Sequence, residues 1–138
     1  MKTSKILLIL CVFVLCAAVC NILPVHGEEK IYESVVRLHV LANSDSEEDQ
    51  NLKLKVRDGI IDTIAEMTDS VSSRSEAAAV IESKLADVEA LARNMIESEG
   101  FDYPVKAVLN EEYYPERSYE GIRLPEGNYL SLRILIGE

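Results

Sequence analysis

Asn43-Ser44-Asp45-Ser46-Glu47-Glu48-Asp49 packs four carboxylates into seven residues. Oxygen ligands at that density suggest a calcium site. A calcium loop of the EF-hand kind needs a glycine at its sixth position, for the turn, and a bidentate glutamate at its twelfth. Counted from Asp45, those positions hold Gln50 and Val56, so the run fails on both. The plainer reading is the start of a helix, where acids meet the positive end of the backbone dipole.

Other chemistry is just as thinly supplied. His39 is the one histidine after residue 27, and a lone histidine on a strand reads as a packed or surface residue before a ligand or base. Cys11, Cys16 and Cys20 all precede residue 28. Beyond it, no disulfide, thiolate nucleophile or cysteine metal cluster can form. No Gly-x-Ser-x-Gly turn presents a nucleophile, and the six glycines are scattered, with no phosphate-cradling loop. Carboxylate pairs stay open as acid–base candidates, because 24 acids offer many combinations and only their separation in space decides. No metal or other cofactor is expected. Tyr113-Tyr114-Pro115 with Tyr119 sets aromatic rings on an irregular segment. They either anchor a protein contact or roof the edge of a sheet.

Length and charge bound the rest. The 138 residues leave room for one domain. Residues 1–27 read as a leader: Lys2 and Lys5 precede an apolar run from Ile6 to Val19, and Val25-His26-Gly27 offers a small-residue cut. Two readings stand, a cleaved signal or a retained anchor. Residues 6–25 are long enough to span a bilayer, although Asn21 and Pro24 make that span less comfortable. Lipidation at Cys20 is a weaker third reading. Residues 28–138 then form the folded domain. Without Lys2 and Lys5, 12 basic residues face 24 acidic ones, a net of −12. Such a surface repels nucleic acid and anionic lipid.

Periodicity supplies the elements that must position these residues. Ser34–Ala42 alternates as a strand with apolar residues on both faces, which predicts a central position. A helix from about Ser46 to Met67 follows, capped by Ser46 or Asp45, with Leu52, Val56, Ile60, Ile64 and Met67 as its apolar stripe. A second helix is expected from Ser75 to Glu99, stopped by Gly100, with a stripe of Ala78, Ile81, Leu85, Val88, Ala92 and Met95. Pro104–Asn110 reads as a strand. Tyr119–Leu124 is expected to pair with Tyr129–Ile136 across a Pro125-Glu126-Gly127-Asn128 turn. In the last strand, Leu130, Leu132, Ile134 and Ile136 face one way and Tyr129, Ser131 and Arg133 the other. The order is β-α-α-β-β-β, and the fold class is α+β, with two helices on one face of a small, mostly antiparallel sheet.

Val36 to Asp58 resembles the stage II sporulation protein R family. The core Arg37-Leu38-x-Val40-Leu41-Ala42-Asn43-Ser44-Asp45-Ser46-x-x-Asp49-Gln50 carries the likeness. It extends through the leader, both helices, Tyr113-Tyr114-Pro115 and Ser131-Leu132-Arg133-Ile134. The resemblance implies a non-enzymatic signal made in the forespore of an endospore-forming bacterium. It implies secretion into the space between the two membranes around the forespore, or tethering there through residues 6–25. The implied partner is a membrane-bound aspartic protease of the mother cell, which on activation removes the pro-sequence of sigma factor E. The family pattern also continues into a glycine-rich tail with paired tryptophans, whereas this sequence ends at Gly137-Glu138 without tryptophan. Either this branch lacks that tail or the sequence is a truncated form.

A signal needs a surface that distinguishes two states of its receptor. The candidate partner residues are Arg37, Asn43, Ser44, Asp45, Asp49 and Gln50, where polarity exceeds what a turn and cap require, with Tyr113 and Tyr114 beside them. The rival readings are an exported cell-wall hydrolase and a domain that binds a protease without activating it.

Overall fold

The computed structural model describes residues 34–137. The expected leader, with Cys11, Cys16 and Cys20, lies outside them.

The chain runs β1 (Val36–Leu41), α1 (Glu47–Met67), α2 (Arg74–Ser83), α3 (Leu85–Ser98), β2 (Val105–Tyr114), β3 (Arg117–Tyr119), β4 (Ile122–Leu124) and β5 (Gly127–Ile136). The main sheet has the order β1-β5-β2. β5 pairs parallel with β1 and antiparallel with β2, and β3 pairs antiparallel with β4. The α+β class and the mostly antiparallel pairing are those the sequence predicts.

Period-two patterning decides which face is covered. Leu132, Ile134 and Ile136 of β5 meet Leu52, Val56 and Ile60 of α1, Ile81 of α2, and Val88, Ala92 and Ile96 of α3 in one cluster. Val36, Leu38 and Val40 of β1 and Ala107 and Leu109 of β2 pack at its margin. Each fully buried Ile or Val contributes roughly 1.5–3 kcal/mol through the hydrophobic effect. The odd positions, Arg37 and His39 of β1 with Tyr129, Ser131 and Arg133 of β5, fall on the opposite face. Among the described residues no helix lies there.

Helix ends follow their local chemistry. Ser46 caps α1, its side chain accepting from the Asp49 N–H, with Glu47, Glu48 and Asp49 in the first turn. After α3, Gly100 sits at φ +88. Its N–H reaches the Glu97 carbonyl and the Phe101 N–H reaches Ile96, the paired bonds of a Schellman end. A left-handed residue at that position favours glycine.

Three expectations need correcting. The single second helix is two, broken at Lys84, with no proline or glycine between Arg74 and Ser98 to mark the break. Packing sets it: α2 leans on β1 and α3 on β2, so the chain must turn between them. β1 is an edge strand, and the central strand is β5, because it alone is lined on both sides. Ile122–Leu124 pairs with Arg117–Tyr119 and not with β5. Glu120 at φ 45 and Gly121 at φ 87 make a two-residue turn with both central residues left-handed. β5 instead takes β2, which runs four residues beyond the predicted end at Asn110.

Candidate functional site

Two side-chain clusters stand out, one at each end of β1. At its C-terminal end, chain entry into α1 forms a polar knot. The Asp49 carboxylate, 4% exposed, accepts from the Ser44 hydroxyl at 2.5 Å and from Asn43 Nδ2 at 3.2 Å. Gln50 Nε2 donates to the Ser44 carbonyl at 2.9 Å, and Lys53 Nζ donates to Gln50 Oε1. Ser44, above all, holds the Asp49 carboxyl below its ordinary range, against the cost of burial, with help from Asn43, Tyr103 and Ser46. The Tyr103 phenol is pushed up in return by its hydrogen bond to Asp49.

Within this knot the candidates divide. Asp49 is spent on holding the loop, Gln50 is half-buried, and Asn43, Ser44 and Asp45 are exposed. Asp49→Ala should therefore lower the thermal unfolding midpoint, whereas Asp45→Ala should stay within about 0.5 kcal/mol of wild type, as surface changes do. Thermal denaturation followed by circular dichroism checks both. Because Asp49's carboxyl is depressed, its contribution is present above the ordinary value of 3.8 and is lost as pH falls through the lower folded value.

The second cluster lies on the helix-free face. Tyr114 Oη stands 2.6 Å from Ser131 Oγ and donates to Glu112 Oε2 at 2.7 Å. His39 Nδ1 faces the same oxygen at 3.0 Å. Arg133 Nε lies 3.5 Å from the other Glu112 oxygen, an ion pair without hydrogen-bond geometry. Arg37 rests its guanidinium 3.9 Å above the Tyr114 ring and 5.0 Å from that of Tyr129. Its Nη2 donates to the Tyr119 hydroxyl at 3.2 Å, and its buried Nη1 turns to the rings instead of to an oxygen. Tyr129, fully buried, donates to the Pro125 carbonyl at 2.6 Å.

Burial pushes the Tyr114 phenol up to about 12, with Glu112 adding to the shift and Ser131 and Arg37 opposing it. Ultraviolet titration should show one phenolate forming at about pH 12, and Tyr114→Phe should remove that step. The stabilisation from keeping this phenol neutral is complete below pH 10, its ordinary pKa, and is lost as pH climbs from there toward 12.

Chemically, the arrangement ties strands together. Ser131 is buried, its hydroxyl shared with Tyr114, and Glu112 is engaged by three neighbours. A serine so placed offers no open nucleophile. The chain Ser131–Tyr114–Glu112–His39 runs from β5 through β2 to β1, so it clasps all three strands of the sheet. Among the described residues no group of three or more His, Cys, Asp or Glu is placed to hold a metal. Nor, among them, is any helix long and apolar enough to cross a membrane.

The structure thus joins Arg37 to Tyr114 and separates both from Asn43–Gln50 by the length of β1, roughly 20 Å at strand spacing. Tyr113 points away from the clasp, 58% exposed, and donates to Glu126. His39, Glu112, Tyr129, Ser131 and Arg133 are additions to the predicted set. The alternation of β5 had grouped Tyr129, Ser131 and Arg133 on one face, but nothing in the sequence said which strand would bring Glu112 to them.

Residues 32–138 match the stage II sporulation protein R family. The chain belongs to that family. Stage II sporulation protein R of Bacillus subtilis (strain 168) is 34% identical over 107 residues, which cover 78% of this chain and 48% of the relative. The chain therefore spans about half the length of the curated relative it matches. No solved structure matches. Family membership covers every residue of both clusters, and it makes this a sporulation protein.

Proposed function

We propose that the chain is an exported sporulation signal. In this reading it is secreted from the forespore into the space between the two membranes. There it activates a membrane-bound aspartic protease of the mother cell, which then processes pro-sigma-E. The observation that carries the reading is the family match over residues 32–138. The side chains lend support: the polar groups that converge are engaged with one another, which suits a protein acting through its surface and not through chemistry of its own. A signal of this kind works by binding the active state of its receptor better than the inactive one.

The test is pro-sigma-E cleavage in cells producing the protease, with and without this chain. Cleavage that needs the chain and its leader supports the reading. An exported, folded chain that leaves pro-sigma-E intact counts against it, unless grafting on the additional residues of the Bacillus subtilis relative restores cleavage. Asp45→Ala should reduce cleavage without shifting the melting curve, whereas alanine at Asn43 or Gln50 should also lower the melting midpoint, because each bonds within the knot around Asp49. Cleavage unchanged by Asp45→Ala would place the partner surface elsewhere. Peptidoglycan turnover by the purified domain, lost on changing one acid, would point to a hydrolase. Capture of the protease without cleavage would point to a binder that does not activate.

A further inference from the structure

The two edges of the main sheet are treated differently. On β2, the Glu89 carboxylate from α3 accepts the Ala107 N–H at 3.1 Å, so one donor on this edge is taken by the domain's own side chain. On β1, the strand partner is β5 alone, and no other strand among the described residues pairs with the outer edge. An unpaired edge presents a row of backbone donors and acceptors that a further strand can take up.

Beside that edge lies apolar surface. A cavity of about 250 Å³ opens where Arg37 and Leu38 of β1 meet Ile61, Ile64 and Ala65 of α1. Ile61 is 48% exposed, and Leu54, two turns earlier on α1, is 40% exposed. Both stand outside the stripe that α1 buries in the core. An added strand would lay alternate side chains over Ile61 and the cavity. Its other side chains would emerge on the helix-free face, beside Arg37 and His39.

Charge then selects the occupant. Arg37 has no carboxylate within ion-pair distance among the described residues; its neighbours are tyrosines. Arg133 and His39 share the single Glu112. This face is therefore locally cationic in a chain whose net charge is −10. A second copy pairing through β1 would set its own Arg37 against the same face, a like-charge arrangement that disfavours cross-strand pairs.

We propose that the outer edge of β1 is the docking site for an extended segment of a partner protein in which apolar residues alternate with acidic ones. Backbone bonds to the edge supply affinity, and the Ile61 cavity and Arg37 read alternate side chains. The chemistry of the segment does not depend on which protein carries it, so this proposal and the signalling role fail separately.

The probe is a capped synthetic heptapeptide alternating valine with glutamate, titrated into the full chain and followed by fluorescence anisotropy and amide chemical shifts. Saturable binding is expected, with shifts concentrated at residues 36–41. Ile61→Glu and Arg37→Glu should each weaken it by at least about tenfold, and a peptide with lysine in place of glutamate should not bind. Ile61 is exposed, so its variant should stay folded even if replacing Arg37 disturbs the tyrosines around it. Lys106→Glu, on β2, should leave binding unchanged. Shifts centred on β2, binding indifferent to Ile61→Glu, or no saturation at about 1 mM peptide would each overturn the proposal.

Discussion

Ile134→Ala should cost about 2–5 kcal/mol of folding stability, the range for removing a large aliphatic side chain from a packed core. Ile134 is fully buried. It lies in register with Val40 of β1 on one side and Ala107 of β2 on the other, under the helical layer. Neighbours on three sides cannot collapse into the space without breaking the register of two strands, which favours the upper part of that range. Domains are stable by only about 5–15 kcal/mol, so the loss is a large share of the whole. Chemical denaturation checks it: the midpoint should fall while the slope, which reports exposed area, stays put. Ile122→Ala is the control. Ile122 is 66% exposed on the β3–β4 hairpin, and its loss should stay within about 0.5 kcal/mol. Equal effects at the two positions would mean that β5 is not the central strand.

The contrast between these isoleucines shows where sequence reading succeeds. The stripe of α1 repeats at three and four residues, so Leu52, Val56 and Ile60 could be assigned to the core from spacing alone, and they are buried. Ser46 with three following acids marked the helix start, and Gly100 marked a helix end, because caps are written in a few adjacent residues. Strand pairing is written nowhere locally. Both Tyr119–Leu124 and Pro104–Asn110 offered β5 an antiparallel partner, and the short connection through Pro125–Asn128 favoured the wrong one. What decides is that Val105, Ala107 and Leu109 extend the apolar floor under α3, whereas Ile122 has no helix to cover it. The break at Lys84 and the edge position of β1 are likewise consequences of packing, not of local composition.

The site followed the same rule. The knot around Asp49 was visible as a polar run, because its partners, Tyr103 apart, are within six residues. The clasp on the helix-free face joins residues 73 positions apart in the case of His39 and Glu112, and pairwise contact at that range depends on strand order. Arg37 belonged to the predicted set through the excess polarity of the strand-to-helix segment. Its tyrosine setting became visible only when β2 and β5 were placed beside β1.

Glu112 is where that clasp is most exposed to a single change. Glu112→Ala should cost about 1–3 kcal/mol, the penalty for leaving partly buried donors without an acceptor, since Tyr114, His39 and Arg133 all turn to this carboxylate. Glu112→Gln keeps the shape and an acceptor oxygen, so it isolates the charge. Burial raises the Glu112 pKa, but hydrogen bonds from His39 and Tyr114 and the charges of His39 and Arg133 outweigh it, and the net shift is downward from 4.5. Folding thus favours the carboxylate form. Its contribution is complete above pH 4.5 and disappears as pH falls through the lower folded value. Wild type should lose stability on acidification more steeply than Glu112→Gln, and the two curves should draw together at the acid end. Asp49 titrates in both proteins, so the difference between the curves belongs to Glu112. Parallel curves would mean that water replaces the three partners at no cost, and the three strands would then be held by their backbone ladder and the covered face alone.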